Sequence, residues 1–329
     1  FMITERENAL LAINHQKPCW TPCFYDAYAP FGTSLLKDQG EPGKGGRDLF
    51  GSNWLVTRDT GFQTIHDPNE HILDDIESWR DVIKFPDLEA MDWAGAAIRD
   101  TAHVDRTQKL ACCFSLTGSF NRLEALMGTC EALLAMYDNP DEVNHFFQAY
   151  TDFRVKIVDK YVTYYKPDII VYGDDVASSD GLFFPPELYR KLVWPHEKRL
   201  HQAAVSKGVI AEHHVCGKVD EIIPDILATG ATIWQTAQHL NDLVGIQKKY
   251  GDKLCIHGGW DSYGPAAQIA ASEEDIRAEV RRCIDTYAEH GNYMLFPIIF
   301  GDPDDPRTEL KKKWCSDECR KYKASIPVE

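Results

Sequence analysis

The sequence predicts an α/β fold, and within that class a single (β/α)8 TIM-type barrel. From residue 110 onward, short apolar runs alternate regularly with amphipathic helical stretches, which is the pattern of repeated βα units and a parallel sheet. With an early strand near Thr21–Tyr25, the chain holds at least seven such units in 329 residues, a length that closed α/β barrels commonly reach. A doubly wound sheet is the alternative, and the absence of a Gly-rich turn after the first strand disfavours it.

The first predicted element is a helix that begins near residue 5. Residues 4–7 read TERE, a capping-box pattern, and an apolar run follows before Pro18 and Pro22 break the helix. The Gly-rich residues 40–47 predict a solvated loop. They lack a flanking strand and helix, and they lack the Gly-Lys-Ser/Thr of a phosphate-binding loop.

The second part of the chain supplies the remaining strands and the clearest helix starts. The predicted strands are Leu110–Ser115, Asp168–Tyr172, Val209–Val215, Ala231–Trp234, Lys253–His257 and Asn292–Pro297. Pro140, directly after an Asn cap, opens a long helix that runs to about Tyr165. Pro186 opens another helix, and Ser272 caps a third that ends by Gly291.

Composition narrows the class of protein further. The chain carries 35 Lys+Arg against 51 Asp+Glu, a net charge of −16, which disfavours nucleic acid and anionic membranes as partners. The ten cysteines occur in a long chain with no signal peptide and no run of 18 apolar residues, so we expect reduced thiols and a cytoplasmic location. No linker interrupts the pattern. We therefore expect one domain over residues 1–329, with roughly residues 1–20 and 30–105 lying partly outside the barrel as a helical and loop extension.

Polar side chains follow the predicted strands at the end where a barrel carries its active site. They occur at residues 174–175, 212–217, 235–239 and 255–261. Such groups at the ends of apolar strands are costly unless they serve a site or satisfy one another.

The His214-x-Cys216 pair is the sharpest of these features. Because strand side chains alternate, residues 212, 214 and 216 share one face and His213 points to the other. An imidazole and a thiolate on one face can both reach one zinc ion. The alternative is a hydrogen-bonded core histidine beside a buried thiol.

Two further pairs are open to more than one interpretation. Asp174 or Asp175 could be a metal ligand, a general base or an orienting partner for a histidine, and either could equally be a helix-capping carboxylate. Cys255 and His257 repeat the one-face spacing on another strand, where a thiol more often serves packing.

Several sequence blocks, in order, resemble the uroporphyrinogen decarboxylase superfamily. The blocks are TERENALLAINHQKPCWTP at the start, GDDVASSDGLFFPPELYRKLVWPHEKRL at 173–200, HVCGKVDEIIPDILATG at 214–230 and HGGWDS at 257–262. They are most similar to its corrinoid-dependent methyltransferase branch, which includes the methyl-transferring subunits of anaerobic O-demethylases. The resemblance implies a barrel with a zinc site at the strand ends.

The resemblance also bears on the metal ligands. In the thiol-methylating members the zinc is held by an H-x-C pair, matched here by His214 and Cys216, plus a later Cys near the last strands. Residues 296–301, where that Cys should fall, contain none. The missing cysteine fits the O-demethylase members better than the thiol-methylating ones. The remaining zinc ligands are then open among Glu212, Asp174, Asp175, Cys255 and His257.

The first strand argues against a decarboxylase acting on a tetrapyrrole. Members with that activity carry an arginine-rich segment there to grip the substrate's carboxylates, whereas residues 24–31 contain no arginine. This segment suits an aromatic or weakly polar substrate. The expected substrate-binding residues are Phe24, Tyr25, Tyr28, Gln235 and Gln238.

The resemblance and the residues together lead us to expect an enzyme that moves a methyl group from an O-methyl donor, a methoxylated aromatic, to the cobalt of a separate corrinoid protein with the help of zinc. The expected catalytic residues are Asp174, Asp175 and His257, and the expected metal ligands are His214, Cys216, Glu212 and Cys255. One alternative is transfer from a methylated corrinoid to a thiol or folate acceptor. The lesser alternatives are a decarboxylase and a non-catalytic barrel that binds a corrinoid protein.

Overall fold

Seven parallel strands form one ladder within residues 3–326, the part of the chain that this computed structural model describes. The strands of the chain are β1 Tyr28–Phe31, β2 Gly46–Arg47, β3 Asn53–Val56, β4 Thr64–His66, β5 Leu110–Ser115, β6 Ile169–Gly173, β7 Ile210–His214, β8 Ile233–Ala237, β9 Cys255–Gly258 and β10 Tyr293–Leu295. The ladder runs β1-β5-β6-β7-β8-β9-β10, so its neighbours after β1 follow chain order. Each strand predicted after residue 110 overlaps one of these strands, and the predicted parallel α/β barrel is confirmed.

Helices connect the strands and begin where the sequence signals them. The helices are α1 Glu5–Ile13, α2 Phe24–Ala27, α3 Trp79–Val82, α4 Trp93–Asp100, α5 Ser119–Met127, α6 Thr129–Asp138, α7 Pro140–Lys160, α8 Pro186–Leu192, α9 Trp194–Val205, α10 Ile223–Ala228, α11 Leu243–Tyr250, α12 Glu273–Tyr287 and α13 Pro306–Lys321. Thr4 and Ser272 form the capping boxes of α1 and α12. The long helix α7 continues as one π-helical turn to Tyr165, the predicted end.

The wall between β10 and β1 is closed by a short contact. Cys23 forms a parallel bridge with Leu295, and the Leu295 N–H donates to the Pro22 carbonyl at 2.8 Å. The strand predicted at Thr21–Tyr25 is therefore extended only at its first residues, because the chain then turns through the helix α2 before β1 begins. The turn packs Phe24 against Phe296, a contact between distant parts of the chain that local patterning does not reveal.

The inner face of the barrel is apolar in its lower layers. Leu110, Ile169, Ile233, Cys255 and Met294 are fully or almost fully buried in one cluster, as the alternation along each strand requires. Ala9, Ala12 and Ile13 of α1 join that cluster, and Arg6 of the same helix pairs with Asp168 just before β6. Helix α1 therefore lies across the amino ends of the strands, and the carboxyl ends are left for a site.

Residues 32–109 add no strand to the seven-stranded ladder. They contain a small antiparallel sheet, β2-β3-β4. The Gly-rich loop of residues 40–47 thus ends in a strand, because Gly46 and Arg47 pair with β3. Asp48 accepts hydrogen bonds from the Phe50 and Ser52 N–H groups and from the buried Arg122 of α5, which ties this segment to the barrel. That the whole chain forms one domain stays a prediction.

No helix within residues 3–326 combines the length and the apolar character that crossing a lipid bilayer requires.

Candidate active site

Asp175, His214 and Cys216 come together at the carboxyl ends of β6 and β7. One ligand atom from each lies within 4.8 Å of the others, and all three side chains are half-buried. The register of the two strands explains the grouping. Gly173 pairs with His214, so the residues that follow each strand emerge side by side. The sequence named all three residues and left open whether Asp174 or Asp175 would join the pair.

The ring of His214 is held in one orientation. Its Nδ1 lies 2.7 Å from Oε1 of Gln235, while the Nε2 of Gln235 donates to Glu212 at 2.8 Å. The second bond orients the Gln235 amide, so Oε1 accepts and His214 donates from Nδ1. Nε2 then carries the lone pair, and it faces the Cys216 sulfur at 3.9 Å. This is the arrangement that a histidine metal ligand adopts.

The Asp175 carboxylate is fixed beside the same sulfur. Its Oδ1 accepts the Cys216 N–H at 2.6 Å, and its own N–H donates to Asn121 Oδ1 at 2.7 Å. Burial raises the pKa of the Cys216 thiol well above its usual range, and the Asp175 charge adds to that shift. A divalent cation would offset both effects, and imidazole nitrogen, thiolate sulfur and carboxylate oxygen are ligands that zinc takes. The residues present therefore fit a zinc ion.

Glu212 lies one layer deeper and serves a different network. Its Oε1 accepts from His257 Nδ1 at 2.6 Å and from the Gln235 amide, and its Oε2 accepts the Tyr28 hydroxyl at 2.7 Å. Glu212 and His257 are fully buried, and Nε2 of His257 has no hydrogen-bond partner among residues 3–326. The structure thus does not bring Glu212 into the metal-ligating group. It makes Glu212 the residue that orients His257.

Aromatic rings surround His257. The ring centroids of Tyr28 and Phe296 lie 5.2 and 5.3 Å from the centroid of the His257 ring. The ring centroids of Phe24 and Phe296 are 4.9 Å apart. Phe296 is also 6.5 Å from the His214 ring, so one aromatic side chain borders both histidines. Phe296 is not among the residues predicted from the sequence, although its position directly after the last strand was a usable signal.

Two of the predicted substrate-binding residues are engaged elsewhere. The Tyr25 hydroxyl donates to the Pro297 carbonyl at 3.1 Å, and its ring lies under Lys312 of α13. Gln238 accepts the Gly217 N–H at 2.6 Å and donates to Ser262, so it links the loops after β7 and β9. Gly217 has φ +88°, a conformation that favours glycine at this turn.

Asp174 and Cys255 are placed outside the group as well. The Asp174 carboxylate accepts the N–H groups of Phe120 and Asn121 at the start of α5, the helix-capping role that the sequence left open. Burial raises its pKa to about 7, against the lowering effect of those two donors. Cys255 shares the inner face with His257 as predicted, and it is fully buried in the apolar cluster of the lower layers.

His213 and Thr236 also lie near the carboxyl ends of their strands, β7 and β8. His213 points to the face opposite His214, as predicted. This is the outer face, where the ring centroids of His213 and His201 of α9 are 5.2 Å apart. Thr236 was not selected from the sequence, yet its hydroxyl lies 3.6 Å from the Cys216 sulfur. It reaches the sulfur because β8 is irregular at that residue, which no local pattern signals.

Fold and site together define a parallel α/β barrel with a candidate metal-ligating group at the carboxyl ends of its strands. The chain belongs to the uroporphyrinogen decarboxylase (URO-D) family, whose sequence model matches residues 59–297. The resemblance seen in the sequence blocks is thereby confirmed at the level of the family.

Two of the similar proteins are named methyltransferases. The chain is 26% identical over 144 residues to a protein named methylcobamide:CoM methyltransferase MtaA from Methanosarcina barkeri, a match that covers 44% of this chain and 39% of that protein. A methyltransferase from Methanosarcina mazei superposes with a TM-score of 0.65 at 14% identity, covering 96% of this chain and 99% of the other. A B12-independent methionine synthase from a Shewanella species superposes with a TM-score of 0.51 at 10% identity, covering 83% and 74%. The two structures show the fold alone. The resemblance of this chain to the methyltransferase branch, which the sequence blocks indicated, is confirmed.

Proposed function

We propose that this protein is a corrinoid-dependent methyltransferase that takes the methyl group of a methoxylated aromatic and passes it to the cobalt of a corrinoid on a separate protein. The observation that carries the proposal is the group of Asp175, His214 and Cys216 beside an aromatic wall at the carboxyl ends of the strands. The partial match to a methylcobamide methyltransferase supports the corrinoid part of the proposal.

Asp175, His214 and Cys216 would hold a zinc ion in this scheme. When bound there, zinc supplies a Lewis acid for the ether oxygen of the methyl donor. A carboxylate is a harder ligand than a second thiolate, so this donor set suits a centre that engages oxygen rather than sulfur.

The chain's own residues bind the donor and handle its proton. Phe24, Tyr28 and Phe296 offer ring edges and faces to a methoxylated aromatic. In the transfer, a cobalt(I) nucleophile forms the bond to the methyl carbon, the carbon–oxygen bond breaks, and the electron pair stays on the oxygen, which takes up a proton. His257 would deliver that proton from Nε2 as an imidazolium, because its Nδ1–H already donates to the Glu212 carboxylate, and solvent would return the proton after each turnover.

The partner protein would approach from the carboxyl ends of the strands, because helix α1 covers the amino ends. The carrier's corrinoid then meets the methyl donor next to the proposed zinc ligands.

Metal analysis and a transfer assay test the proposal. We expect about one zinc per wild-type chain and methyl transfer from methoxyarenes to reduced cobalamin. His214→Ala and Cys216→Ala should lose the metal and, on the order of 100-fold, the activity. Cys255→Ala is the matched control, because its thiol lies in the apolar layer outside the group, and it should keep the zinc. A metal-free wild type, together with full activity in the His214 and Cys216 variants, would overturn the proposal.

A second candidate function is transfer from a methylated corrinoid to a thiol. The Methanosarcina barkeri relative, a methylcobamide:CoM methyltransferase by name, favours it, whereas the absence of a cysteine in residues 296–301 disfavours it. Assays with methylcobalamin and a thiol, in parallel with a methoxyarene and reduced cobalamin, separate the two. Methyl transfer to the thiol without ether cleavage would establish the second function.

A further inference from the structure

Strand β8 contains a bulge next to the proposed metal ligands. Gln235 pairs with His257 and Ala237 pairs with Gly258, so β8 advances by two residues where β9 advances by one. The extra residue is Thr236, and it has φ +56°, a left-handed conformation that a β-branched side chain rarely adopts. Neighbours hold the bulge in place. A Cβ on Gly258 would come within 2.4 Å of the Ala237 carbonyl oxygen, and the Gly259 N–H donates to that oxygen at 2.7 Å.

The bulge turns two consecutive side chains toward the same site. In a regular strand Gln235 and Thr236 would point to opposite faces. Here Gln235 meets Nδ1 of His214 at 2.7 Å, and the Thr236 hydroxyl lies 3.6 Å from the Cys216 sulfur. Strand β8 therefore supplies one neutral hydrogen-bonding group to each of two proposed ligands.

The hydroxyl of Thr236 is positioned for both states of the sulfur. It donates to the Gln235 carbonyl at 2.7 Å, which leaves its oxygen to accept from the protonated Cys216 thiol. As a metal ligand the sulfur would be a thiolate, which can only accept a hydrogen bond. Rotation of the hydroxyl about its C–O bond then lets it donate to the thiolate.

We propose that Thr236 is a positioning residue for Cys216, held against the sulfur by the strained bulge of β8 so that its hydroxyl stabilises the metal-ligating thiolate. The proposal rests on the metal centre of the proposed function. Strained backbone at an interior strand end is typical of functional sites, and a regular β8 would place this hydroxyl on the outer face of the barrel.

Zinc affinity in a set of Thr236 variants tests the proposal without an activity assay. Metal-free protein is titrated with zinc against a chromophoric chelator, and the thiolate-to-metal charge-transfer band is recorded with cobalt(II) in place of zinc. Thr236→Val keeps the shape without the hydroxyl, and its zinc affinity should fall by about 10- to 100-fold, as is usual when a group behind a metal ligand is removed. Thr236→Ser should stay near wild type in both measurements.

Thr236→Gly separates the strain from the hydroxyl. Glycine adopts φ +56° freely, so the metal-free variant should unfold at or above the wild-type temperature while binding zinc more weakly. Thr229→Val, at another buried threonine beyond the end of α10, is the control and should bind zinc as wild type does. Unchanged zinc affinity in both Thr236→Val and Thr236→Gly would overturn the proposed role of Thr236 but not the proposed metal centre. A wild type that binds no zinc would overturn the metal centre itself and this inference with it.

Discussion

Glu212 receives three hydrogen bonds in the interior of the barrel, and its position shows how one residue organises the site. The donors are Tyr28, Gln235 and His257, which come from three different strands. Gln235 in turn orients His214, so the same carboxylate supports the proposed proton carrier directly and a proposed metal ligand through one intermediate. A carboxylate can accept all three bonds because each oxygen has two lone pairs, which no neutral side chain of similar size matches.

Replacing that carboxylate with an amide is predicted to destabilise the fold. Glu212→Gln retains the shape, yet its NH₂ group would face one of the three donors. We expect the free energy of unfolding to fall by about 1–3 kcal/mol, measured by urea denaturation. Glu131→Gln, at an exposed position of α6, is the control and should change it little. An unchanged stability in Glu212→Gln would contradict the three-donor arrangement.

At the scale of elements, helices α7 and α9 pack through a buried histidine. His196 of α9 lies 3.1 Å from the Thr151 hydroxyl and 3.2 Å from the Asn144 side-chain oxygen, both on α7. Burial lowers the pKa of His196 to about 4, and the Arg199 charge adds to the shift while the Asp152 charge opposes it. The helix pair is therefore built around a neutral imidazole.

This histidine predicts a dependence of stability on pH. At pH values between about 4, the pKa of His196 in the folded protein, and its usual pKa of 6.5, the unfolded chain binds a proton that the folded chain does not. Stability is therefore lost as the pH falls through this range. From pH 7.5 to 5.5 the free energy of unfolding of the wild type should fall by about 1 kcal/mol relative to His196→Gln. Urea denaturation at the two pH values measures it, with the exposed His290→Gln as control. A difference between wild type and His196→Gln that stays constant with pH would contradict a neutral His196.

At the scale of the whole molecule, the barrel and the proposed metal centre are separable. Asp175 and Cys216 follow β6 and β7, and His214 is the last residue of β7, so most of the seven-stranded ladder and its apolar lower layers lie outside the proposed ligand group. The site is a feature of one end of an independently packed scaffold, as is usual for this architecture.

Removing the metal is predicted to lower the stability without unfolding the protein. Zinc at 100 times its Kd should add about 2.7 kcal/mol, so chelation should lower the Tm while the far-ultraviolet circular dichroism of the native state stays unchanged. The same chelation should leave the Tm of Cys216→Ala unaltered. Loss of native secondary structure on chelation at 25 °C would contradict a scaffold that folds independently of the centre.

Local sequence was sufficient for most of the architecture. Alternation along the strands predicted that Glu212 and His214 share one face and that His213 points to the other, and the capping residues Thr4 and Ser272 predicted where helices begin. These features follow from the backbone geometry of a strand or a helix, which neighbouring residues in the chain determine. The one-face spacing of the H-x-C pair made it a metal-ligating candidate, and the family resemblance matched that pair to a zinc site.

The tertiary structure decided which candidates meet. It selected Asp175 over Asp174, because Asp174 caps α5 while the register of β6 and β7 places Asp175 beside Cys216. It put Cys255 in the apolar layer, since a shared face does not imply a shared depth. It also turned Thr236 inward through the bulge of β8. Local sequence is enough for the class of fold and for the face that residues of a regular strand occupy. Register, bulges and depth depend on contacts between strands far apart in the chain, so only the packed barrel decided the membership of the site.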